Sequence, residues 1–140
     1  MSYFRHILIL FFYLIFFNVK AELSNFEKGK NFFNNKKYDL AKFKFEKDIV
    51  YNPKNENSYL YLSKIFKLKK DDNQEEKNLK TVILLNPKNE EAIFNLALLK
   101  KRKSNYTETK KLIEDLQKVC KTLCQKTSDL EKKLDALLKK

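Results

Sequence analysis

The chain has two prolines, Pro53 and Pro87, and both sit in the same five residues. Asn52-Pro53-Lys54-Asn55-Glu56 returns as Asn86-Pro87-Lys88-Asn89-Glu90, 34 residues further on. Proline ends a helix and pushes the residue before it out of the helical region. Asn-Pro therefore reads as a stop, and Asn-Glu as the start of the next helix. Turns in β-proteins draw heavily on Gly and Pro. One glycine and two prolines in 140 residues do not supply them. The predicted class is all-α, with short polar turns set at a fixed period.

Residues between the stops share a register. Ser24 and Glu27 have capping-box spacing. Gly29, Phe32, Tyr38, Ala41 and Phe45 then precede Pro53. A small residue followed by an aromatic, then an aromatic, a small residue, an aromatic and a closing proline resembles the tetratricopeptide repeat, whose period is also about 34 residues. Gly29 and Ala41 would let two antiparallel helices approach to about 8–10 Å, with the aromatic rings filling the space around the contact. The resemblance implies about three helical hairpins, near 22–55, 56–89 and 90–121. They would form a short right-handed solenoid over residues 22–121.

The second unit departs from the pattern. Gly29 becomes Ser63, Phe32 becomes Phe66 and Phe45 becomes Leu79, but Tyr38 becomes Asp72 and Ala41 becomes Glu75. The polar block from Asp71 to Glu76 predicts a later or shifted second helix, capped by a residue from Asp71 to Asn73. In the third unit Ala97, Tyr106, Thr109 and Ile113 hold the register, and Leu96, Leu99, Leu112 and Leu116 keep an apolar face. Lys121 stands where the closing proline is due, so the helical pattern can run on.

Past that point the spacing supports two architectures. Ile113, Leu116, Cys120, Leu123, Thr127, Leu130, Leu134 and Leu137 follow a seven-residue period, a coiled-coil seam on one long helix. Ser128 and Glu131 have capping-box spacing, which would start a fresh helix there. The favoured expectation for 122–140 is a helix that folds back and covers the end of the array; the alternative is a homodimer through residues 113–137. Cys120 and Cys124 are a candidate disulfide in an oxidising compartment. An intact helix would aim them poorly, and a bridge would bend it near Lys121 to Leu123. Structural thiols, buried or half-buried, are the default expectation.

The N-terminus suggests export. Arg5 precedes an unbroken apolar run, Ile7 to Phe17, and Val19 and Ala21 follow. A basic start, a short apolar centre and small exit residues form a signal-peptide layout, with cleavage predicted after Ala21. As an uncleaved anchor the run would cross only about half of the ~30 Å hydrocarbon core. The expected location is periplasmic or otherwise secreted, with a bacterial envelope preferred.

Net charge is +12, almost all of it from lysine. Arg5 and Lys20 leave with the leader and all 18 acidic residues lie from Glu22 onward, so the processed chain carries +10. Arginine supplies the bidentate contacts of nucleic-acid readers, and Arg102 is the one arginine past the leader. No specific nucleic-acid partner is expected. Membrane contact would come only from an uncleaved leader or a peripheral basic surface.

Catalytic chemistry has no visible carrier. The one histidine, His6, lies in the leader, and the sequence holds no Gly-rich phosphate loop and no metal-ligand cluster. The chain is read as a non-enzyme with no cofactor and no metal. The resemblance implies instead a scaffold whose inner helices line a concave groove. By correspondence with the family, the groove would use Phe26, Lys30 and Phe33, then Leu60, Lys64 and Lys67, then Phe94, Leu98 and Lys101. Aromatics and lysines together suit a protein or peptide partner with apolar anchors and some acidic character. The family's chaperone-tail binders clamp a C-terminal carboxylate; Lys30 fits that pattern, but Phe26, Tyr61, Glu91 and Asn95 do not complete it. Two other uses stay open: a basic module that binds anionic polymers or lipid headgroups, and a structural protein that self-assembles through the heptad helix.

Overall fold

A computed structural model describes residues 23–139. The predicted leader and its cleavage site after Ala21 lie outside these residues. Among these described residues, seven α-helices follow one another: α1 Asn25–Asn34, α2 Tyr38–Tyr51, α3 Glu56–Leu68, α4 Asp72–Leu85, α5 Glu90–Arg102, α6 Tyr106–Val119 and α7 Cys124–Leu138. No strand occurs among the described residues. No helix among them is long and apolar enough to cross a membrane. Each helix packs chiefly on its sequence neighbours, so α1–α2, α3–α4 and α5–α6 form three hairpins and α7 folds back on the last.

All three hairpin turns are built alike. Lys36, Lys70 and Ser104, each 34 residues after the last, take positive φ angles of 58°, 57° and 57°. At the first turn, Lys36 N–H donates to Phe33 O and Lys37 N–H to Phe32 O. The same pair of bonds recurs at Lys70 and Asp71, and again at Ser104 and Asn105. This is the Schellman arrangement, usually closed by glycine because a left-handed residue with a Cβ is disfavoured. Here lysine and serine bear that cost, so glycine counting gave no sign of the turns.

The two Asn-Pro-Lys-Asn-Glu copies do more than stop helices. Asn55 and Asn89 cap α3 and α5, accepting from the Asn57 and Ala92 amides. In the first copy Asn55 and Asn52 also donate to the buried carboxylate of Asp48, at 2.7 and 3.3 Å, and Ser58 Oγ donates to it at 2.7 Å. In the second copy Asn86 and Asn89 donate to Glu56, the glutamate of the first, at 2.9 and 3.1 Å. Glu90, the glutamate of the second copy, accepts from the Thr122 and Leu123 amides at 2.9 and 2.8 Å. Each glutamate thus reaches forward to the next loop. Even where the third proline is missing, Glu90 caps the start of α7. Its backbone hydrogen bonds, Leu123 first, hold its carboxyl below the usual carboxylate range.

Three successive apolar clusters straddle the hairpins, as in a stacked array. The first joins Ala41, Phe45, Leu62 and Ile65; the second joins Leu60, Leu79, Val82, Ala92, Leu96 and Leu99. The third joins Ala97, Ile113, Leu130 and Leu134. Gly29 is needed for the first: a Cβ there would lie 2.6 Å from Phe45 Cε1.

Four expectations need correction. The second helix of the second hairpin is neither late nor shifted: α4 starts at Asp72, in register with Tyr38, because the Asp71 carboxylate accepts from Gln74 N–H and caps it. Residues 113–137 are not one helix, because α6 ends at Val119 and α7 begins at Cys124. The Ser128–Glu131 spacing does not start a helix, and Ser128 lies inside α7. The cysteines are not thiols: Cys120 and Cys124 form a disulfide across the break, with Cα atoms 5.3 Å apart. The heptad residues Ile113, Leu116, Leu130 and Leu134 are buried within this one chain, which is the covering arrangement rather than an open seam.

Candidate functional site

The first helices of the hairpins, α1, α3 and α5, carry the residues expected to line the groove. The structure brings three of them into one cleft of about 250 Å³: Phe33 from α1, and Lys64 and Lys67 from α3. Ser63 and Leu68 complete the α3 wall, Glu91 and Asn95 form the α5 wall, and Glu75 of α4 lies at the base. Glu91 and Asn95 are one helical turn apart and so project together. Neither fits the carboxylate clamp of the family's chaperone-tail binders, so that pattern does not mark them. Leu68 could have been found one turn beyond Lys64.

Charges in the cleft are balanced. Lys64 Nζ lies 2.8 Å from Glu91 Oε1 and 4.8 Å from the centre of the Tyr61 ring. Lys67 Nζ donates to Asn95 Oδ1 through a long 3.4 Å bond. Lys67 is exposed, so of the two ammonium groups it is the easier to recruit.

The remaining expected residues are placed differently. Phe26 and Lys30 lie further along α1, beside the cleft. Phe26 sits edge-on to Tyr61 with ring centres 5.9 Å apart, and Lys30 lies 5.5 Å above the Phe26 ring while pairing with Glu27. Tyr61 also meets Phe33 at 5.1 Å and stacks on Phe45 at 5.0 Å, so it anchors this wall to the core. Leu60 is a core residue, 6% exposed among Leu79, Val82 and Leu96; α4 and α5 close over it and leave no surface for a ligand. Phe94 and Leu98 are half-buried against the cluster shared with α7. Lys101 is half-exposed on α5 and outside the cleft.

Beneath the cleft lies an ionic layer that binds α4 to α5 and α6. Glu75 is 1% exposed, and Arg102 Nη2 donates to it and to Asp72, each at 2.7 Å. Those contacts, Asp72 first, raise the arginine's pKa. Glu76 takes Lys100 and Lys80 at 2.7 Å and Lys103 at 3.2 Å. Hydrogen bonds from Lys100 and then Lys80 hold its carboxyl down at about 2. Burial alone would lower Lys100, but its bonds to Glu76 and Glu108 outweigh that and raise it. No buried side-chain nitrogen or oxygen is left without a partner among the described residues. The ionic layer therefore holds the helices together, and beside it the cleft presents Lys67 and Asn95 at the surface.

No protein-family model and no curated protein sequence matches the chain. Solved structures do. The Arabidopsis OM64 TPR domain superposes with a TM-score of 0.72 at 19% identity, over 80% of this chain and 92% of its own. The first TPR of Spaghetti (RPAP3), bound to the HSP90 peptide SRMEEVD, gives 0.73 at 21%, over 83% and 91%. The Yersinia enterocolitica type III secretion chaperone SycD, in complex with a peptide of the translocator YopD, gives 0.75 at 15%, over 83% and 92%. What these share with the chain is the fold. It is all-α and tetratricopeptide-type, a short solenoid of helical hairpins.

Proposed function

We propose that the chain is an exported, non-catalytic scaffold that holds an extended protein segment in the cleft between α1, α3 and α5. One observation carries this reading. The cleft pairs an apolar wall, Phe33 and Leu68, with the outward-facing polar groups of Lys67 and Asn95. That combination suits an extended segment with one apolar anchor flanked by hydrogen-bonding backbone. Two neighbours of the same fold were solved with peptides bound, which supports a peptide as the class of ligand. An acidic residue beside the anchor would pair with Lys67 in place of the long bond to Asn95. Ile113, Leu116, Thr127, Leu130 and Leu134 of the heptad seam are buried within the chain, which supports a covering role for the tail.

Export rests on the leader pattern, Arg5 followed by Ile7 to Phe17 and Ala21. The Cys120–Cys124 disulfide fits an oxidising compartment and supports that reading. A bacterial envelope is the preferred setting. The test is a photo-crosslinking side chain at position 67 in the source cells. A discrete partner should be captured, and capture should be lost when Asn95→Trp fills the cleft. Capture unchanged by Asn95→Trp would sink the proposal. Sequencing the N-terminus of the same sample should read from Glu22.

A further inference from the structure

The outer face of α2 is out of keeping with the rest of the solenoid. Its inner side, Ala41 and Phe45, is fully buried. On the opposite side, within about a third of the helical circumference, lie Leu40, Phe43, Lys44, Lys47, Val50 and Tyr51. Phe43 is 59% exposed, Tyr51 69% and Val50 75%. A solvent-facing helix normally carries polar residues there. Part of the equivalent surface on the other outer helices does so: Phe43 is matched by Lys77 and Lys111, and Leu40 by Gln74 and Glu108, whereas Val50 is matched by exposed Leu84 on α4 and by Lys118 on α6. No carboxylate lies on the α2 face. Those at its edge are already paired, Asp39 with Lys69 and Glu46 with Lys42.

Two features indicate what covers this face. One is charge: Lys44 and Lys47 lie among the apolar side chains, and exposed Lys36, Lys37 and Lys54 flank the helix ends. Apolar side chains in a ring of lysines are the composition of helices that lie in a bilayer interface and meet anionic headgroups. The other is position. Leu23, Lys44, Lys47 and Tyr51 line one hollow, so the chain enters the fold beside this face. Asn18 to Glu22, five residues that span at most about 18 Å, separate it from the apolar run Ile7–Phe17. A membrane-held apolar run would keep α2 within that reach of the bilayer surface.

We propose that the outer face of α2 is a peripheral membrane-docking surface for anionic lipid, distinct from the cleft. The processed chain, residues 22–140, contains every described helix and core cluster and is the form to test. It should float with vesicles of half phosphatidylglycerol and half phosphatidylcholine, and far less with phosphatidylcholine alone. Phe43→Ser with Val50→Ser should weaken flotation at least tenfold. Lys44→Gln and Lys47→Gln should each weaken it about fivefold, while Leu84→Ser, an exposed apolar change on α4, should not. The chain has no tryptophan, so Val50→Trp is a clean reporter. Its emission should shift to the blue on anionic vesicles, and that of Leu84→Trp should not. No flotation, equal binding to neutral vesicles, or indifference to the α2 changes would overturn the proposal. So would a dimer without lipid that Phe43→Ser with Val50→Ser dissolves, because the face would then belong to a second copy. Capture through the cleft is read separately, so either proposal can fail alone.

Discussion

The first and second hairpins share one backbone plan but hold it with different chemistry. In the first, Gly29 and Ala41 let α1 and α2 close around Phe45, and the contact is apolar. In the second, Ser63 and Glu75 occupy the same two places. Glu75 is as buried as Ala41 but is satisfied by an arginine 27 residues away. A small residue is thus one way to fill that place; a carboxylate with a guaranteed partner is another. The apolar solution is self-contained, whereas the ionic one depends on the next repeat and so ties α4 to α5.

The largest effect that separates the two should come from the apolar contact. Phe45→Ala should cost about 3–5 kcal/mol of unfolding free energy by denaturant titration. Gly29→Ala should also destabilise, although alanine is the better helix former, because its Cβ would overlap the Phe45 ring. A neutral Gly29→Ala would remove the claim of close approach.

Next comes the ionic contact. Arg102→Ala leaves Glu75 buried and unpaired, and should cost about 1–3 kcal/mol. The double change Glu75→Ala with Arg102→Ala restores the residue that α2 uses and should cost less than Arg102→Ala alone. Additive losses would mean that the pair is not coupled.

Acid should separate the hairpins too. The Glu76 carboxyl is held at about 2, from an ordinary 4.5. A depressed folded-state pKa contributes stability that is complete above about pH 4.5 and lost as pH falls toward 2. Hydrogen exchange, corrected for its intrinsic pH dependence, should show α4 and α5 losing protection before α1 does, and 1 M salt should shrink the gap. Glu76→Gln should remove part of it. Uniform loss along the chain would contradict the ionic layer's role.

The smallest effect is expected at the turns, where the hairpins agree. Ser104→Gly and Lys36→Gly should each stabilise by about 1 kcal/mol, since both residues sit at positive φ. Destabilisation would show that these side chains contribute more than their backbone strain costs.

Much of this was legible in the sequence, for physical reasons. Two prolines at a fixed period and small residues in register set the hairpins, because both act locally. What stayed hidden was relational. Glu75 looked like a fault because its partner, Arg102, is in the next hairpin. Glu90 looked like a helix start, yet it also caps α7, more than thirty residues on. The seam from Ile113 to Leu137 has the right period but not the continuity, since spacing cannot register the break at Cys120–Cys124. Within the cleft, Phe33, Lys64 and Lys67 stand where correspondence with the family puts groove residues. Leu60 was drawn into the core by its neighbours, and Glu91 and Asn95 were passed over because they fitted no known clamp.

The central functional claim is that the cleft between α1, α3 and α5 receives the partner. Its most direct test is calorimetric titration of the segment captured at position 67 into the wild-type chain and the Asn95→Trp chain. The account predicts at least a tenfold loss of affinity in Asn95→Trp, with unfolding midpoints unchanged. Equal affinities in two equally stable chains would place the partner elsewhere and contradict it.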